Sequence, residues 1–151
     1  MSRPIYEKTN DESASKIGQW VHDHEPATHD GIDIDHLVWK SQRSCLRIIE
    51  EKLAGEDLRP SQRRILPLLS KLIAIGKNQG ILSDDSGVVV LYWWQARDAR
   101  IDNDEGNLCA KFKVRVVQSD CIGEAMPIDA ESVLDIVCGR QCSIFEEANG
   151  R

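Results

Sequence analysis

Four histidines, His22, His24, His29 and His36, fall within one acidic stretch, WVHDHEPATHDGIDIDH, with Asp23, Asp30, Asp33 and Asp35 among them. Imidazole and carboxylate are the ligand types that zinc, iron or manganese take. His22, His24, His29 and Asp30 are therefore the metal candidates of the chain, and weak ones, because their spacing argues against a shared ion. Two residues advance a helix by about 200°, which sends His22 and His24 to nearly opposite sides unless the helix frays before Pro26. The stretch also lacks the two histidines four apart around a glutamate that a metal-binding helix uses. The expectation is a solvated acidic loop with capping aspartates, no bound metal and no cofactor.

Other chemical leads are weaker still. Asp102, Asp104 and Gly106 begin like a calcium loop, but the glycine comes one position early and Lys113 stands where the closing glutamate belongs. This segment reads as a hairpin turn. The five cysteines, Cys45, Cys109, Cys121, Cys138 and Cys142, are odd in number and unpaired in spacing. They fit free, mostly buried thiols better than a disulfide framework or a zinc knuckle. There is no nucleophile elbow, no phosphate-cradling glycine loop and no dinucleotide fingerprint, so an enzyme is not the expected reading.

The elements that must position these residues come from a chain of 151 residues with 41% hydrophobic and 29% charged content, a globular balance at the size of one domain. Residues 1–151 are expected to form a single α+β domain, frayed at 1–10 and 146–151. Its N-terminal helical half should pack on a C-terminal, mainly antiparallel β-sheet with one further helix. A first helix is predicted over 11–24, stopped by Pro26. A second is predicted over 35–54, with Val38, Gln42, Cys45, Leu46, Ile49 and Leu53 as its inward stripe. Arg43, Arg47, Glu50 and Glu51 would decorate its other faces. In a third helical segment, 61–79, Pro67 should force a break. Leu68, Leu69, Leu72, Ile73 and Gly76 give its packed face.

Beyond Gly80 the period shifts to that of strands. Residues 81–83 and 88–95 flank a turn and read as a hairpin. The segment 108–118 alternates between an apolar face and a largely basic one, Lys111, Lys113 and Arg115. A last helix over 129–137 should be capped by Asp129 and stopped by Gly139, with a short edge strand at 142–145. The longest apolar run, 88–94, is strand length, far short of the roughly 20 residues that cross a bilayer. The polar first ten residues do not resemble a signal peptide. No membrane association and a cytoplasmic location are expected.

Charge is segregated. The net charge is -6, yet over residues 37–80 nine basic residues face four acidic ones. With no catalytic constellation, the leading expectation is a small regulatory or interaction protein that occupies a partner protein's surface, as an inhibitor, adaptor or immunity-type protein does. Arg59, Arg63, Arg64 and Lys71 are its candidate contact residues, together with Trp93 and Trp94, which face opposite ways on one strand. The alternative is a winged-helix-like nucleic-acid-binding regulator using the basic segment 40–77. Helix two, a turn, helix three and a hairpin come in the order such a module needs. A metal-dependent enzyme built on the histidine stretch ranks third.

Overall fold

Residues 45–53 carry two neighbouring isoleucines, Ile48 and Ile49, whose β-branched side chains favour a pleated strand. In the computed structural model, which describes Trp20, residues 34–95 and residues 110–147, they form a strand. The sheet and the helices packed on it belong to one compact unit, Ile32–Arg151. Strand β1 (His36–Lys40) turns through a short 3-10 segment, Ser41–Arg43, into β2 (Cys45–Leu53). The turn closes on Ser44, whose φ of 53° is left-handed. β1 and β2 pair antiparallel, with Trp39 opposite Leu46 and Leu37 opposite Ile48. The helix expected over 35–54 is thus a hairpin. Its helical stripe is a coincidence of spacing: β1 is largely exposed, and only residues 45–50 of β2 are covered on both faces of the sheet.

After β2 the chain enters α1 (Pro60–Asn78) and returns as β3 (Gly87–Gln95), which lies parallel to β2. Pro60 opens the helix, where its missing N–H costs nothing. The Gln62 side chain accepts from the Arg59 N–H at 2.8 Å, which is half of a capping box. The helix is continuous through Pro67. One proline forfeits a single bond and crowds one carbonyl, and packing against the sheet outweighs that. Residues 81–83 do not form a strand. The Ser83 N–H donates to the Ser44 carbonyl at 2.8 Å, which ties this loop to the β1–β2 turn.

β4 (Ala110–Val117) pairs antiparallel with β3, and the three-residue β5 (Met126–Ile128) pairs with β4. The result is a five-stranded mixed sheet in the order β1-β2-β3-β4-β5. α2 (Ala130–Val137) and a helical turn, α3 (Ser143–Glu147), follow. Asp129 caps α2, accepting from the Ser132 N–H at 2.8 Å, and Gly139 ends it at a φ of 72°. The edge strand expected at 142–145 gives way to the helical turn α3.

The sheet separates two cores. Ile48, Val88, Val90 and Val117 pack on one face beneath Leu66 and Ile73 of α1. Ile49, Val89, Val114 and Val116 pack on the other with Ile136 of α2 and Phe145 of α3. The architecture is therefore sheet-dominated, with helices on both faces, and not a helical half set against an antiparallel sheet. The helix predicted over 11–24 lies outside the described residues. The order needed for a winged helix is lost as well, because its first helix is the β1–β2 hairpin and its wing strand at 81–83 is a loop. No described helix is long and apolar enough to cross a membrane.

Candidate functional site

α1 is apolar on more sides than one core can cover. Its buried residues are Gln62, Leu66 and Ile73. The face expected to pack is turned outward in part: Leu68 and Leu72 are 53% and 55% exposed, and Ile75 is 48% exposed. At helical spacing these three lie in one row on the outer surface. Arg64 and Lys71, both exposed, stand along the same side of that row, three or four residues from its members. Arg63 is exposed a little further round and donates through Nε to the Leu58 carbonyl at 3.3 Å. Arg59 occupies the N-cap position. Four of the six residues expected to meet a partner therefore lie on or at the start of one helix, beside an apolar row of which the periodicity assigns Leu68 and Leu72 to the core.

The two tryptophans are elsewhere. Trp93 is half-buried on the face of the sheet opposite α1, and its indole Nε1–H donates to Glu51 Oε2 at 2.9 Å. Glu51 Oε1 lies 3.0 Å from His36 Nε2. Trp94 stands opposite Lys111 in the β3–β4 register, and its side chain is outside the described set. His22, His24, His29 and Asp30 also lie outside the described residues. Among the described residues no three His, Cys, Asp or Glu side chains converge as a metal cage would require.

Beneath the first turn of α1, Glu50 is buried and accepts a hydrogen bond from the Gln62 amide at 2.7 Å. Burial, reinforced by the nearby Asp35 charge, pushes its carboxyl up to about 7. Two hollows open on the α1 side of the sheet, and only the second is lined in part by the helix itself. One, of about 550 Å³, sets Tyr92, Lys113 and Arg115 against Glu56, Asp57 and Glu124. The other, of about 490 Å³, sets Lys77 against Asp84 and Asp120. Charge in both is mixed, so neither selects an ionic ligand of one sign.

The most buried charge is one that the helical reading puts at the surface. Arg47 is fully buried. Its guanidinium donates to the carbonyls of Asp135 at 2.7 Å and Ile136 at 3.0 Å, to the Arg140 carbonyl, and to Asp85 Oδ2 at 2.9 Å. Arg43 also donates to the Asp85 carboxylate and to the Gly139 carbonyl. Burial alone would raise the Asp85 carboxyl, but hydrogen bonds from Ser83 and Arg43 and the charge of Arg47 outweigh it and hold the group below the usual carboxylate range. The planar, five-donor guanidinium is suited to such a crossing of loop and helix end. The cluster is saturated by its own chain, so its role is to join the β1–β2 hairpin to the α2 terminus.

Compared with protein-family models, with curated proteins and with solved structures, the chain matches none.

Proposed function

We propose that this protein is a binding module that presents the outer face of α1 to a partner protein whose surface is apolar and edged with carboxylates. The observation that carries this reading is the row Leu68, Leu72 and Ile75, about half exposed and flanked by Arg64 and Lys71. Three large aliphatic side chains at i, i+4 and i+7 are the anchors by which a helix engages an apolar surface. Burying them against a partner would supply the affinity. The basic residues beside them would set encounter rate and orientation more than affinity. A nucleic-acid backbone offers such a row nothing to bury, which favours the protein partner over the polyanion.

The test compares the full chain with L68S/L72S and R64E/K71E in pull-downs from the source cell at about 0.15 M salt, where charges are screened beyond roughly 8 Å. The expected result is a protein retained by the native chain, lost with L68S/L72S and weakened with R64E/K71E, with cross-links mapping to α1. Retention of the same proteins by the native chain and L68S/L72S would remove α1 as the contact surface. A retained fraction of nucleic acid, released steeply by salt, would reject the protein-binding reading.

A further inference from the structure

The side of the sheet away from α1 carries a small cleft of about 160 Å³. Its floor is the buried Ile49 and Leu91, and its walls are Phe112, Val133 and Val137. The strand register explains the grouping. Residues 49, 51, 91, 93 and 112 all point to this face, and α2 lies over it through Val133 and Val137. At the rim stand Trp93, Glu51 and His36. Among the described residues that line the cleft, none is Lys or Arg.

The rim is ordered by a chain of hydrogen bonds. Asp35 Oδ2 accepts from the Glu51 backbone N–H at 2.8 Å, at the strand edge beside the cleft. The Glu51 carboxylate is held between the Trp93 indole N–H at 2.9 Å and His36 Nε2 at 3.0 Å. A carboxylate offers about four lone-pair directions, and these two contacts use one on each oxygen. The carboxylate is thus fixed in place and still able to accept.

We propose that this cleft binds a small amine whose apolar body, aromatic or branched, fills the floor while its ammonium group meets the Glu51 carboxylate. The size fits, because a dry apolar cavity of about 150 Å³ takes a benzene ring. The charge fits, because a fixed carboxylate stands at the mouth, with the Asp35 carboxylate beside it, and the described residues of the lining include no Lys or Arg. The walls fit, because a cation is attracted to the faces of Trp and Phe rings within about 6 Å. A carboxylate-bearing ligand of the same shape would meet like charge at the rim. The site lies across the sheet from α1, so it is independent of the partner surface on that helix.

The test uses the ¹⁵N-labelled full chain, following the Trp93 indole N–H resonance, assigned by its loss in W93F. Benzylamine, toluene and benzoate are the probes. Benzylamine is expected to move the Trp93 resonance saturably with a Kd of about 1 mM, a reasonable limit for a ligand so small. Toluene should bind more weakly and benzoate not at all. E51Q keeps an acceptor for the indole but removes the charge, so it should weaken benzylamine about tenfold and leave toluene unchanged. V133F should block the cleft and abolish both, while resonances on the α1 side stay in place and report an intact fold. Absence of a saturable shift with benzylamine would overturn the proposal. So would benzoate binding as well as benzylamine, or benzylamine binding that is unaffected by both E51Q and V133F.

Discussion

Asp85 carries a charge that the fold cannot easily lose. It is 3% exposed and faces two guanidinium groups, one of them fully buried. Removing one partner of a buried pair leaves the other charge uncompensated, at a cost of about 3–5 kcal/mol. Asp85→Ala is therefore expected to lower the unfolding free energy by that amount, measured in denaturant. A loss under about 1 kcal/mol would mean that backbone carbonyls alone hold Arg47. Because the folded-state pKa of Asp85 lies below its ordinary 3.8, its contribution is complete above that value and is lost as pH falls through the depressed one. Glu50 acts in the opposite sense. Its carboxyl rises from 4.5 to about 7 on folding, so between those values the folded state holds a proton that the unfolded state has released, and stability declines as pH rises. Glu50→Gln should flatten that decline and raise stability at pH 8 relative to pH 5 by about 1–2 kcal/mol, a part of the roughly 1.4 kcal/mol per unit that a full shift implies. Parallel pH profiles for the two proteins would show that Glu50 ionises on folding as it does in water.

At the scale of elements, α1 holds its course through Pro67 against its own backbone. A proline in a helix interior costs about 3 kcal/mol, through one lost hydrogen bond and one clash with the carbonyl four residues earlier, here that of Arg63. Pro67 is only partly buried, so little packing depends on its ring. Pro67→Ala should raise stability by about 1–3 kcal/mol, read as a shift in the denaturation midpoint at constant m-value. A fall in stability would show that the ring fills a contact an alanine leaves empty. α2 depends on different devices. Eight residues form a marginal helix on their own. Asp129 at one end and the Arg47 guanidinium on the last carbonyls at the other satisfy the backbone groups that its own turns cannot.

At the scale of the whole molecule, the sheet keeps two surfaces apart. The apolar row of α1 lies on one side, and the cleft under α2 lies on the other. Substitutions on separate faces with no shared partner should add. L68S/L72S removes side chains that are already half in water, so the expected stability change is within about 0.5 kcal/mol per site, checked by thermal unfolding. The Trp93 response to benzylamine should be the same in that variant as in the native chain. A large loss of stability would place the row in the core, and a changed amine response would show that the two faces are coupled through the sheet.

Some of this protein is legible in the order of its residues. The alternation of 108–118 marks β4, with Val114 and Val116 in one core and Lys111 and Lys113 exposed on the other face, although that face runs into the core beneath α1 at Val117. Asp129 and Gly139 mark the ends of α2 because a capping carboxylate and a left-handed glycine act within a few residues of themselves. Three other features depend on contacts distant in sequence. Residues 35–54 carry a helical and a strand pattern at once, and pairing of β2 with β1 and β3 selects the strand. Arg47, by sequence a solvated neighbour of Glu51, becomes the most buried charge because the α2 terminus and Asp85 surround it with acceptors. α1 carries apolar residues over about half of its circumference, at 66, 68, 69, 72, 73 and 75, so the period alone does not say which part of that arc turns inward. The sheet chooses Leu66 and Ile73 and leaves Leu68, Leu72 and Ile75 at the surface. Capping and alternation are decided by neighbours along the chain, whereas the face a helix buries is decided by whatever the fold lays beside it.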